Sequence, residues 1–180
     1  MLHITIPAVE LYDEKKCEFV YIKEQTLQLE HSLVSISKWE SKWNKSFLFA
    51  KDKTDEEMLD YIKCMTITQN VNPQLYEYIP LECVEQIRDY IYAPMTATVF
   101  GKTKNNKPNS EIVTAELIYY WMIALNIPLE CQKWHLNRLF TLIRVCSIKN
   151  QPDKKMSKRE LMSRNAALNE ARRKKLNSKG

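Results

Sequence analysis

Cys131 and His135 stand four residues apart, a spacing that on a helix places both side chains on one face. Such a pair could supply two zinc ligands, or a thiol and its general base. A structural zinc site needs four ligands, and the other histidines, His3 and His31, are isolated in the sequence. We therefore expect a core thiol and a partly buried imidazole here. The sequence predicts no catalytic residue, no metal ligand and no cofactor site.

Two further groups invite a chemical interpretation. The carboxylates of Asp55-Glu56-Glu57 follow Thr54, and negative charge is favourable in the first turn of a helix, so they are expected to cap it. Trp39 and Trp43, with lysines nearby, could stack on the bases of single-stranded nucleic acid. Their spacing continues that of an amphipathic helix, so a place in the core is the preferred interpretation.

The C-terminal segment carries the strongest signal for a partner. Residues 150–180 contain ten Lys and Arg against three Asp and Glu, a net charge of +7, whereas residues 1–149 carry seventeen against nineteen, a net charge of −2. A basic helix would attract phosphates, but residues 153–180 hold no aromatic side chain for base stacking. An acidic or coiled-coil protein partner is the alternative. The candidate partner-binding residues are Lys154, Lys155, Lys158, Arg159, Leu161, Leu168, Arg172, Arg173, Lys174 and Lys175.

The elements that position these residues follow from hydrophobic periodicity. Alternation at Leu2, Ile4 and Ile6 and the β-branched and aromatic run Phe19–Ile22 predict strands at the N-terminus. Six helices are predicted: Ser32–Trp43, Thr54–Met65, Leu81–Tyr92, about fifteen residues from a Ser110 cap, Leu129–Ile148 and Ser157–Lys175. The fold class expected is α+β, a predominantly helical domain over residues 1–150 with a small N-terminal antiparallel sheet. Residues 151–180 are expected to form a basic helical C-terminal extension.

Composition limits the function classes. The chain has 180 residues and two glycines, too few for glycine-rich phosphate loops or Rossmann turns. Its longest apolar run has nine residues, against about 20 needed to cross a bilayer, so no membrane partner is expected. The start lacks the pattern of a signal peptide, and the five cysteines are scattered among apolar residues. These features predict a reducing cytoplasm as the location.

Three segments, 30–43, 60–66 and 119–128, together resemble tail assembly chaperones of long-tailed, siphovirus-like bacteriophages. They read EHSLVSISKWESKW, DYIKCMT and YYWMIALNIP. The resemblance implies a non-catalytic protein of the host cytoplasm. It would bind the tape-measure protein, or another tail protein, until the tail tube polymerises. It carries over no catalytic residue and no cofactor.

Alternatives to the chaperone stay open at the level of sequence. A structural virion component would be found in purified particles, and a nucleic-acid-binding protein would act through the basic C-terminal helix. Oligomeric state is also undecided, so a homo-oligomer remains among the predicted partners. Methionines adapt well to helical partners, although most are expected in the core. The candidates are Met58, Met65, Met122, Met156 and Met162.

Overall fold

The computed structural model describes residues 1–13, 17–100, 111–150 and 158–176. Over these residues the protein is α+β and mostly helical, with a small antiparallel sheet at the N-terminus, as predicted. The chain divides into two compact units, Met1–Ile148 and Lys149–Gly180. None of the helices in the described part of the chain is both long enough and apolar enough to span a membrane.

The N-terminal strands form two antiparallel pairs, and the residue pairing of the first continues in the same register into the second. The strands are β1 (Leu2–Ile6), β2 (Val9–Asp13), β3 (Glu18–Ile22) and β4 (Gln25–Leu29). β1 pairs with β4 and β2 with β3, with Ile6 opposite Gln25 and Val9 opposite Ile22. Pro7 lies between the ladders, and because it has no backbone N–H it cannot continue the pairing. The four strands are therefore one long β-ribbon with a break at this proline.

The two ends of the ribbon have different surroundings. At the base, the alternating side chains of Ile4, Ile6, Leu27 and Leu29 are buried in the core. The tip instead exposes large aromatic side chains. These are Tyr12, Phe19 and Tyr21. The sequence pattern therefore finds β1 and β3, whereas it does not predict β2. Among the side chains of β2 and β3 that the structure describes, Ile22 is buried, at the end of β3 nearest β4.

Six α-helices follow the ribbon in the described part of the chain, and two of them differ from the sequence prediction. The helices are α1 (Leu33–Trp43), α2 (Asp55–Met65), α3 (Leu81–Tyr92), α4 (Ala115–Ala124), α5 (Leu136–Asn150) and α6 (Lys158–Leu176). The predicted cap Ser110 lies outside the described residues, and α4 is capped instead by Thr114, which accepts from the Leu117 N–H. The predicted helix Leu129–Ile148 is wrong as a single element. A 3₁₀ turn, Leu129–Lys133, precedes α5.

The break before α5 has a tertiary cause. His135 pairs with Ser32 in an isolated antiparallel bridge, and the Leu136 N–H donates to the His31 carbonyl at 2.7 Å. These bonds hold Trp134 in an extended conformation, with φ −72° and ψ 160°. Residues from the start of α1 thus interrupt a helix that local periodicity favours. A second 3₁₀ helix, Pro73–Tyr78, follows α2.

Asparagine takes three of the five left-handed backbone positions in the described part of this glycine-poor chain, and Cys17 and Met95 take the other two. Asn44, Asn70 and Asn126 have φ of 53°, 57° and 53°. Asparagine tolerates this conformation better than other residues with a β-carbon, because its short polar side chain can bond locally. Asn44 ends α1 there, and its N–H donates to the Glu40 carbonyl at 2.8 Å. The end of α1 is therefore a local property of the sequence.

Candidate functional site

A concave, mainly apolar cavity of about 400 Å³ opens within the larger unit. We call it the groove. It is bounded by α2, by α3, by the first residues of α5 and by the loop that joins α1 to α2. Its volume lies in the range of roughly 300–1,000 Å³ that is typical of ligand sites.

Helical spacing explains how α2 and α3 line the groove. Met58 and Ile62 are four residues apart on α2, while Val84, Ile87 and Ile91 follow at intervals of three and four on α3. Ile62 and Ile87 are buried, whereas Met58 is 37% exposed and Val84 is 40% exposed. Each helix therefore points one part of its apolar face into the core and leaves another part facing the groove.

The loop and the C-terminal end of α3 add further exposed apolar surface at the groove. Leu48 is 41% exposed and Tyr92 is 78% exposed. Burying a side chain such as Leu or Met is worth about 1.5–3 kcal/mol, so apolar side chains left open around one cavity favour a binding site. The ring of Phe47, which is buried, also lines the groove.

Two cationic side chains line the groove. The Lys53 ammonium lies 4.5 Å from the centroid of the Phe47 ring and donates to the Ala50 carbonyl at 2.5 Å. Burial lowers the pKa of Lys53, and the nearby charge of Glu57 opposes that effect. Arg88 is exposed and approaches its neighbour Asp89 at 4.0 Å. None of the described residues that line the groove is acidic.

Two buried histidines lie beside one another next to the groove. The rings of His31, which lines the groove, and His135 have their centroids 5.1 Å apart. His135 Nε2 bonds to the Tyr90 carbonyl oxygen at 2.9 Å, so Nε2 carries the proton. Its Nδ1 is then free to accept from the Asn137 N–H at 3.3 Å, which caps α5. His31 Nδ1 lies 2.5 Å from the Tyr61 hydroxyl oxygen.

The burial of these histidines keeps both imidazoles neutral. Burial lowers the pKa of His31 to about 3, and the adjacent His135 contributes by repulsion. Burial also lowers the pKa of His135, although its bond to the Tyr90 carbonyl acts in the opposite direction. The pair can therefore donate and accept hydrogen bonds at neutral pH, but it carries no charge there.

Cys131 and His135 do not lie on one helix. Cys131 belongs to the 3₁₀ turn and His135 precedes α5. Both side chains are buried, and burial raises the pKa of the Cys131 thiol. Within the described ranges, no group of three or more His, Cys, Asp and Glu side chains is arranged to hold a metal ion.

The two tryptophans of α1 and the carboxylates of α2 contribute to the packing of these two helices. Trp39 is fully buried and its Nε1–H donates to the Glu57 carbonyl at 2.8 Å, so the interpretation as a base-stacking residue is wrong. Trp43 Nε1–H donates to Asp60 at 2.9 Å. Glu57 completes the predicted capping box with Thr54 and also pairs with Lys45 at 2.5 Å. The prediction that these carboxylates belong to the capped first turn of a helix is therefore confirmed.

Most of the basic residues singled out from the sequence are exposed on α6. Lys154 and Lys155 lie outside the described residues, and Lys158 and Leu161 are placed only as members of the helix. Leu168 is 46% exposed, and Lys174 pairs with Glu170 at 2.9 Å. The remaining exposed members are Arg159, Arg172, Arg173 and Lys175.

The methionine candidates separate by burial. Met65 and Met122 are buried in the core, whereas Met58 lines the groove. Met162 is exposed on α6, and Met156 lies outside the described residues.

Periodicity finds the apolar faces of α2 and α3, but it does not show which part of each face stays uncovered. That difference depends on contacts between distant segments.

Asn137 joins the groove wall to the end of α3. Its Nδ2 donates to the carbonyls of Ile91 at 3.1 Å and Ala93 at 2.8 Å, which belong to the C-terminal end of that helix. We expect Asn137→Asp to lower the free energy of unfolding by about 1–3 kcal/mol, because two donors are lost and a carboxylate faces two carbonyls.

Urea unfolding followed by circular dichroism tests this expectation, with Asn137→Ala as the companion variant. Alanine removes the donors without adding charge, so its effect should be the smaller of the two. Asn137 lies in the first turn of α5, where the helix dipole favours an acid by about 0.3–1 kcal/mol. An Asp variant as stable as the parent would show that the contacts with α3 contribute little.

Comparison with known proteins adds no family assignment. No protein-family model matches the chain, no curated protein matches it, and no solved structure matches it.

Proposed function

We propose that this protein is a non-catalytic binding protein that holds a helical segment of a partner in the groove. The observation that carries the proposal is the set of exposed apolar side chains around one cavity. They come from the loop before α2 and from α2 and α3, and they are Leu48, Met58, Val84 and Tyr92. Grooves between helices commonly receive the apolar face of an amphipathic helix, whose anchors recur at three and four residues.

We further propose that the partner is the tape-measure protein of a long-tailed bacteriophage. In that case the chain acts as a tail assembly chaperone in the host cytoplasm, and the resemblance of segments 30–43, 60–66 and 119–128 supports it. A long helical protein exposes apolar stripes before assembly, and a groove lined by adaptable side chains such as Met58 can cover one stripe at a time. The exposed basic surface of α6 favours a second candidate, a nucleic-acid-binding protein.

Affinity capture from host cells infected with the encoding phage tests the proposal. Tagged chain is recovered from nuclease-treated lysate, and bound proteins are identified by mass spectrometry. The parent is compared with Val84→Glu, which places a charge in the groove, and with Val99→Glu. Val99 is 91% exposed and does not line the groove, so it provides a matched control.

We expect the parent and Val99→Glu to capture a long coiled-coil tail protein and Val84→Glu to lose it. A chain truncated after Asn150 should retain this capture. Capture that survives Val84→Glu would contradict the groove as the binding site. Nucleic acid bound by the full chain and lost with the truncation would favour the second candidate, and presence in purified particles would favour a structural virion component.

A further inference from the structure

We infer that the helix held in the groove carries carboxylates beside its apolar face, and that Lys53 and Arg88 recognise them. The inference rests on the proposed function and specifies the chemistry of its partner. Apolar burial alone would accept any amphipathic helix. Two cations among apolar lining residues, without an acid among the described ones, give the groove a preference for one sign of charge.

Lys53 has hydrogen-bonding capacity left for an anion. Its ammonium can donate three hydrogen bonds, and the structure shows one, to the Ala50 carbonyl. Lys53 forms no ion pair with any residue in the described part of the chain, since the neighbouring Glu57 pairs with Lys45 instead. Half-buried beside the Phe47 ring, the ammonium has lost part of its hydration. A carboxylate in the groove would restore some of that lost stabilisation.

Arg88 is placed to read a second carboxylate. It lies on α3 four residues after Val84 and three before Ile91, so apolar lining residues flank it on both sides. Its Nε lies 4.0 Å from the carboxylate of Asp89, and both side chains are exposed, so this ion pair is weak. The planar guanidinium therefore remains available for a bidentate pair with a carboxylate. An acid that reaches Arg88 therefore belongs to a segment already in contact with Val84 or Ile91.

The same charges argue against the chain's own C-terminal helix as the occupant. The last two turns of α6 carry Arg172, Arg173, Lys174 and Lys175. Bringing these cations to a groove with Lys53 and Arg88 would place like charges together, whether α6 came from the same chain or from a second copy. Charge complementarity thus favours an acidic segment of a different protein.

Synthetic helical peptides provide the test. Three hydrocarbon-stapled peptides share one apolar face with leucines at i, i+3, i+4 and i+7, and they differ only at flanking positions, which are Glu, Gln or Lys. Binding to the full chain is measured by fluorescence anisotropy in 150 mM salt. We expect the Glu peptide to bind roughly tenfold more tightly than the Lys peptide, with the Gln peptide between them.

Charge-reversed variants show whether the two cations cause the preference. Lys53→Glu and Arg88→Glu should each reduce the preference for the Glu peptide, and the double variant should prefer the Lys peptide. Lys51→Glu is the matched control, because Lys51 is an exposed lysine of the same loop that does not line the groove. It should keep the parent's order of affinities.

The outcomes separate this inference from the proposed function. Equal affinity for the Glu and Lys peptides, with binding abolished by Val84→Glu, would overturn the acidic partner and leave the groove as an apolar site. Absence of binding by every peptide, or binding unaffected by Val84→Glu, would overturn both. A chain that sediments as a dimer and dissociates when the Gln peptide binds would identify a second copy as the occupant and overturn the inference.

Discussion

Replacing Glu40 with alanine is expected to lower the free energy of unfolding by about 3–5 kcal/mol. Glu40 lies on α1 and is buried, and its two carboxylate oxygens each accept a backbone N–H, one from the loop after α1 and one from the start of α4. One oxygen accepts from Phe47 at 2.8 Å and the other from Ala115 at 2.7 Å. The variant leaves both donors without this acceptor.

The second of these bonds explains why the effect should be large. Ala115 is the first residue of α4, where the helix dipole and unsatisfied N–H groups favour a negative charge. Hydrogen bonds to charged groups contribute about 1.5–3 kcal/mol each, more than neutral ones. Glu40→Gln keeps the shape and one acceptor oxygen. It should therefore cost less than alanine while still separating clearly from the parent.

Urea unfolding followed by tryptophan fluorescence measures the change, with Glu116→Gln as the matched control. Glu116 occupies the same first turn of α4 but is exposed. Its substitution should stay within about 0.5 kcal/mol of the parent. If Glu40→Ala proved as mild as this control, the carboxylate would not be what holds α4 against the loop after α1.

Acidification from pH 7 to pH 5 is expected to cost about 2 kcal/mol of stability through His31 alone. Burial, with repulsion from His135, lowers the pKa of His31 from 6.5 to about 3 in the folded protein. The unfolded chain therefore binds a proton as the pH falls through about 6.5, while the folded chain does not. Stability is fully present above pH 6.5 and is lost progressively between pH 6.5 and pH 3.

His135 should add to this loss, since burial lowers its pKa in the same direction. The carboxylates of Glu57 and Asp60, whose pKa values are lowered in the folded protein, contribute only at lower pH. Although burial raises the pKa of Asp60, hydrogen bonds from Lys42 and Trp43 outweigh that effect and hold it below its ordinary value of 3.8. The interval from pH 7 to pH 5 therefore reports mainly on the histidine pair.

The free energy of unfolding, measured at several pH values in this interval, tests the histidine prediction through its slope. His31→Gln should flatten the dependence on pH by about 2 kcal/mol across the interval. The change in the free energy of unfolding with pH is decisive, rather than its value at any one pH, because the substitution also changes packing. His3→Gln is the control, as that side chain is exposed on β1. An unchanged slope in His31→Gln would mean that His31 is not held neutral by the fold.

The positions of several elements are properties of the sequence itself. The capping box of Thr54 and Glu57 starts α2 at the predicted place, and Asn44 ends α1. The predicted span of α3, Leu81–Tyr92, agrees with the structure. These features depend on hydrogen bonds and apolar spacing within about one or two helical turns, so the local order of residues is sufficient to predict them. The resemblance to phage tail assembly chaperones stays a prediction.

The groove was decided by tertiary structure. Glu40 bonds to a residue 75 positions away, and a bridge from Ser32 to His135 ends a helix that periodicity would have continued. Both contacts join segments that are far apart in the sequence, so no local sequence pattern predicts them. Tertiary packing also covers Ile62 and Ile87 but leaves Met58 and Val84 open to the groove. Sequence determined which faces are apolar, whereas the burial of each face depended on which distant segments reached it.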